Sequence, residues 1–141
     1  MSLIKLKKEA GFSLVEVMVV LAIVSVAACV ALPIFSGYLN KAKASEGLSL
    51  IAPVKLAVTS FALEHGSLDQ ISSNKDLDLA QDIHGTYVES IKILKAGVIE
   101  VLYKNQLGTL LFTPVFQAGQ ITWDCLGGTL DPSHRPSVCK A

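Results

Sequence analysis

The side chain with the strongest chemical claim is Glu16, the one carboxylate in twenty-one residues of apolar sequence running from Phe12 to Leu32. A carboxylate in that setting is costly to hold away from water. It calls for a compensating positive partner and marks a functional position. Just upstream stands a small-residue junction, Ala10-Gly11, followed by Phe12 and preceded by a basic head, Lys5-Leu6-Lys7-Lys8. A secretory signal is cut after its apolar core. A cut at this junction would instead remove the head and leave the apolar segment on the mature chain. Such a product leaves a bilayer only if its apolar surface is buried again, most simply against copies of itself.

Three cysteines are the next candidates. Cys29 sits in the apolar run, while Cys125 and Cys139 lie near the C-terminus with thirteen residues between them. In an oxidising compartment the default for such a pair is a disulfide, contributing about 3 kcal/mol through loop closure. A metal site that includes His134 from inside the loop is the alternative, although no ligand cluster with metal spacing accompanies the pair. Cys29 by itself reads as a small buried hydrophobe.

Weaker signals lie between. Asp76, Asp78 and Asp82 could offer oxygen ligands to calcium. Their spacing lacks the glycine and terminal glutamate of a calcium loop, so a solvated connection is the better reading. Arg135, His134 and Lys140 could touch phosphate, yet three scattered basic groups in a loop read first as a solvated surface. The three histidines are dispersed, no serine occupies a nucleophile elbow, and no glycine loop cradles a phosphate. The chain therefore reads as non-enzymatic. Its formal charge is zero, and removing residues 1–11 leaves nine basic and eleven acidic side chains, which offers no general attraction to nucleic acid.

These residues have to be positioned by some fold. With 141 residues the chain makes one domain, its first third committed to a long helix. Phe12 to Leu32, at about 1.5 Å per residue, reaches about 30 Å, the depth of a bilayer core. The basic flank keeps to the cytoplasm, so the remainder faces the other side. Pro33 should kink the helix, and Ser36-Gly37 loosens it further. A polar run from Asn40 to Gly47 then marks exit from the membrane. Helical periodicity resumes with Leu50, Val54, Ala57, Val58 and Phe61 on one face, against Lys55, Thr59, Ser60 and Glu64 on the other. Pro53 adds a gentle bend, and His65-Gly66 ends the helix. The pattern predicts one helix from Phe12 to His65, packed on a globular head only along its second half.

Residues 67–86 are polar and acidic, with room for a short helix from Lys75 to Gln81. Four strands follow, at Tyr87–Leu94, Val98–Tyr103, Thr109–Phe116 and Ile121–Leu126, joined by turns at Lys95-Ala96-Gly97, Lys104-Asn105-Gln106 and Ala118-Gly119. Pro114 places its part of the third strand near an end or an edge. Short links favour an antiparallel meander whose apolar face covers the helix stripe. Trp123 reads as a packing residue of the last strand. Residues 127–141 show no periodicity and form a loop.

The block GFSLVEVMVVLAIV followed by Pro33, together with SLIAPVKLAV around Pro53, resembles the type IV pilins. Ser13, where that family most often has threonine, is a mild departure. The resemblance implies an α+β fold: a long N-terminal helix on a roughly four-stranded meander, with a C-terminal disulfide between Cys125 and Cys139. It divides the chain into a leader (1–11), a membrane and assembly helix (12–33), an amphipathic continuation (34–66), an αβ loop (67–86), a sheet (87–126) and a D-region (127–141). It implies cleavage between Gly11 and Phe12 by a prepilin peptidase and N-methylation of Phe12. Glu16 then pairs with the N-terminus of a neighbouring copy, and the chain polymerises without a cofactor. The partners implied are an inner-membrane platform with ATPase motors, an outer-membrane secretin and minor pilins, with host surfaces or DNA as targets. The subunit would start as a single-pass inner-membrane protein with a periplasmic head and end in an extracellular fibre. Rival readings are a minor pilin, a type II secretion pseudopilin and a DNA-binding competence pilin. A signal anchor, or a lipoprotein lipidated at Cys29 of Val26-Ala27-Ala28-Cys29, would lie outside the family.

Overall fold

A computed structural model describes residues 11–139. Contacts divide it after Ser36 into two units, to both of which one helix, α1 (Leu14–His65), contributes. By length and composition α1 is able to cross a membrane. In the first unit every side chain from Phe12 to Ser36 is exposed within the chain. Ser25 and Ser36 satisfy their hydroxyls on the carbonyls of Leu21 and Pro33, at 2.7 and 2.9 Å, so a serine costs little in an apolar helix.

The second unit carries the core. The end of α1 follows the expected chemistry: Gly66 takes a positive φ of 66°, and its amide reaches the Ala62 carbonyl at 2.9 Å. Four antiparallel strands follow, β1 (Val88–Ile93), β2 (Ile99–Tyr103), β3 (Gly108–Gln117) and β4 (Gln120–Gly127), in the sheet order β1-β2-β3-β4. The turns fall where their residues permit. Ala118 and Gly119 both have positive φ, 50° and 76°, as a two-residue hairpin of the primed type requires. Pro114 is tolerated because β2 pairs with β3 only as far as Phe112. From there β3 pairs with β4 alone, and Pro114 stands opposite Trp123, where a missing amide hydrogen costs no ladder bond.

The sheet lays Ile91, Ile99, Val101, Leu110 and Phe112 against a seam of α1 made of Ala44, Gly47, Ile51, Val54, Val58 and Ala62. This seam is rotated from the expected stripe. Val54 and Val58 are buried as anticipated, but Leu50, Ala57 and Phe61 are only half-buried flanks. Gly47 sets the rotation. A Cβ there would fall within 3.1 Å of both Tyr103 Cζ and Val101 Cγ1, so the missing side chain lets the sheet seat directly on the helix backbone. Lys55, expected in solvent, is half-buried instead.

The segment between helix and sheet is more structured than a solvated connection. The expected helix over 75–81 is a single 3-10 turn, Asn74–Leu77, closed by Asp78 in the left-handed region at φ 53°. Asn74 is buried. Its amide donates to the carbonyls of Ala80 and Ile91, at 2.9 and 3.2 Å, and its Oδ1 accepts from the Ile93 amide at 2.8 Å. With the Ile91 amide on the Ile83 carbonyl at 3.0 Å, these bonds occupy the outer edge of β1, which would otherwise expose unpaired backbone groups.

Candidate assembly and surface sites

Gly11 and Phe12 precede the first turn of α1. Among the described residues nothing lies within 4 Å of where a Gly11 side chain would be, and Phe12 is exposed. Glu16 lies in that first turn, where a helix favours negative charge, and is exposed within the chain. Cys29 is a free thiol, also exposed within the chain. The basic head lies outside the described residues.

In the second unit Glu46 has a role that the sequence did not announce. Its carboxylate accepts the amide hydrogens of Thr86 at 2.7 Å, Tyr87 at 2.6 Å and Val88 at 3.1 Å. Burial works to raise its pKa, but the three amides prevail and hold it below the ordinary glutamate value. Gly85 makes room, since a Cβ there would come within 2.8 Å of Leu50 Cδ1. One helix carboxylate thus ties down the entry to β1. Nearby, the Tyr103 hydroxyl donates to the Ala44 carbonyl. Burial, reinforced by the charge on Glu46, drives this phenol's pKa upward.

Lys55 holds its ammonium 4.6 Å from the centre of the Phe112 ring and 5.1 Å from that of Trp123. That is cation–π distance. Burial lowers its pKa. Trp123 packs against the core, as a strand residue should.

The calcium reading of the aspartates fails on its first ligand. Asp76 Oδ2 accepts from the amides and hydroxyls of both Ser72 and Ser73, between 2.8 and 3.1 Å. Asp76 caps its own turn, and those bonds, led by the Ser72 amide, depress its pKa. Among the described residues no three histidine, cysteine or acidic side chains gather as metal ligands.

Cys125 and Cys139 form the C-terminal disulfide, with Cα atoms 5.1 Å apart. The loop it closes is also held by Arg135, which corrects the reading of that residue as a solvated charge and leaves its phosphate alternative without a free guanidinium. Arg135 is 8% exposed. Its guanidinium donates to the carbonyls of Leu130 at 3.1 Å, Gly128 at 3.2 Å and Leu126. A planar fork of donors suits three carbonyls arranged round it. Arg135 is therefore committed to the loop's own backbone. Of the other two basic candidates, His134 is half-buried at the rim of a cleft, and Lys140 lies outside the described residues. Sequence reasoning missed Glu46, Gly47, Asn74 and the true role of Arg135. The one local signal was the serine pair three and four residues before Asp76, a capping pattern.

Comparison with known proteins adds to this geometry. Residues 40–140 match the family described as pilin (bacterial filament), and residues 6–32 match the prokaryotic N-terminal methylation motif. A fimbrial protein of Neisseria meningitidis serogroup B is 37% identical, with 94% of each chain covered. The type IV major pilin protein PilE of Neisseria gonorrhoeae is 27% identical over the same shares. The prepilin peptidase-dependent protein D of Escherichia coli K12 is 31% identical over 73% of this chain and 69% of its own. The helix, the four-stranded meander, the disulfide and these matches place the chain in the pilin family: it is a type IV pilin.

Proposed function

We propose that this pilin is a major structural subunit of a type IV pilus, cut between Gly11 and Phe12, methylated on the Phe12 amine and polymerised through its apolar helix. The observation that carries this reading is Glu16: a carboxylate in the first turn of a helix whose side chains as far as Ser36 are all exposed within one chain. Once the chain has left the bilayer, burial against other copies is what keeps that surface from water, and burial obliges Glu16 to find a positive charge. The Phe12 amine of a neighbouring copy supplies it. Gly11, outside the helix and without a side chain, suits a backbone that a prepilin peptidase must grip. Pro33 and Pro53 soften α1 where the bundle and the shell of heads meet. Repeated contacts that do not close on themselves yield a filament.

Before assembly the chain spans the inner membrane once, with its head in the periplasm. An assembly platform with ATPase motors moves it into the fibre, minor pilins join it, and a secretin passes the fibre outward to serve adhesion, twitching or DNA uptake.

Intact-mass spectrometry of the sheared surface fraction, with this chain's share quantified, tests the proposal. A dominant species beginning at methylated Phe12 with Cys125 and Cys139 oxidised is expected. A trace of that species would make this a minor pilin, and a cell-bound species beginning at lipidated Cys29 would overturn the assignment.

A further inference from the structure

Between the middle of α1, the start of β1 and the turn joining β2 to β3 lies a cleft of about 490 Å3, within the range of small-ligand sites. Its walls carry two ammonium groups and an imidazole, from Lys43, Lys104 and His134, against one carboxylate, Asp131. Tyr87, 42% exposed, supplies an aromatic wall, with the Lys43 ammonium 5.7 Å from its ring centre. From these groups we infer that the head binds an acidic sugar, a saccharide ring bearing a carboxylate, in this cleft.

Each part of the site matches a part of that ligand. Lys104 spends one of its three donors on the Gly85 carbonyl at 2.8 Å. The bond fixes the ammonium while leaving donors for an anion. The Tyr87 ring offers the flat apolar surface against which a sugar's C–H face packs. Asn105 and Gln106 bring side-chain amides for hydroxyl groups, on a turn held in the left-handed region at φ 56° and 57°. Asp131 gives Oδ1 to the amide and hydroxyl of Ser133, at 2.7 and 2.5 Å, and keeps Oδ2 as an acceptor for a sugar hydroxyl.

Other ligand classes fit less well. Inorganic phosphate would fill a small part of the volume. A nucleic acid strand asks for a continuous basic track, whereas this cleft holds a carboxylate among its cations, and Arg135 beside it is committed to the backbone. A neutral sugar would make no use of the positive charge that Lys43 and Lys104 bring to the cleft. The site belongs to the second unit alone and does not depend on the fibre role of Glu16.

The test uses the full chain in detergent, with trigalacturonate as probe, its uncharged galactose trisaccharide as control, and isothermal titration as readout. Saturable binding of trigalacturonate is expected. Lys43→Gln, which touches no main-chain hydrogen bond, should weaken it about tenfold, the loss of one charge-assisted contact. Tyr87→Leu should weaken it too, and Lys92→Gln, an exposed charge on β1, should leave it unchanged. Thermal unfolding of each variant confirms that the head stays folded. The inference is overturned by equal binding of the uncharged trisaccharide, by displacement with inorganic phosphate or a short single-stranded oligonucleotide at equal concentration, by an equal loss in Lys92→Gln, or by no binding.

Discussion

Tyr103 donates its phenolic hydrogen to the main-chain carbonyl of Ala44 over 2.7 Å, across 59 residues of sequence. The bond is possible only because Gly47, one turn further along α1, has no side chain where the ring lies. Gly47→Ala sets two effects against each other. Alanine favours the helix by about 1 kcal/mol, while overpacking a fixed core costs roughly 1–3 kcal/mol. With Tyr103 buried and its ring carbon 3.1 Å from the new atom, overpacking should win. Urea unfolding is expected to show a lower midpoint at unchanged slope. Tyr103→Phe should cost about 1 kcal/mol, toward the low end because the Ala44 carbonyl is also a helix acceptor.

Glu46 predicts an acid sensitivity with a definite sign. Its folded pKa lies below the unfolded one. The stability it contributes is therefore present above the ordinary glutamate range and lost as pH falls through the depressed folded value. Asp76 and Asp131, also depressed by hydrogen bonds, act in the same direction. Glu46→Gln should flatten the acid limb of a stability-against-pH curve. It should also speed hydrogen exchange at the amides of Thr86, Tyr87 and Val88, and unchanged exchange would refute the clamp.

Arg135→Lys keeps the charge but cannot reach three carbonyls at once. The head should lose roughly 1–2 kcal/mol, chiefly because the Leu130 carbonyl, the buried one of the three acceptors, goes unmet. Chemical denaturation with the disulfide intact measures it, and a change within error would show the guanidinium to be dispensable.

Replacing Cys125 or Cys139 by serine should cost about 3 kcal/mol. The melting temperature should fall to that of the reduced wild-type chain, and a melt insensitive to both reductant and substitution would contradict a stabilising role.

Glu16→Ala should leave cleavage at Gly11 intact and abolish or sharply reduce fibres. The readout is the ratio of processed chain in the membrane to chain in the sheared fraction. Normal fibres would remove Glu16 from the assembly mechanism.

Strands and turns were legible because period-two alternation and residues such as Ala118-Gly119 act locally. The apolar helix and its lone Glu16 were equally plain. What the sequence concealed depends on partners far along the chain. Gly47 reads locally as a helix weakness, and only Tyr103, supplied by β2, turns it into a docking point. Arg135 reads as a solvated charge until three carbonyls surround it. Lys55 sits on the polar side of a helical wheel, yet Phe112 and Trp123 draw its ammonium over their rings. The same holds for the αβ loop, polar in composition but organised by one buried amide, Asn74.

That amide has a consequence for life in a crowd. In the filament proposed above, many copies of this head would stand side by side. Neighbouring sheets with bare margins would fuse strand to strand into an irreversible aggregate. Because Asn74 and Ile83 already occupy the margin of β1, the backbone groups of Ile91 and Ile93 are not left open for a neighbour's strand. A contact that pairs no strands can be let go without unfolding either neighbour.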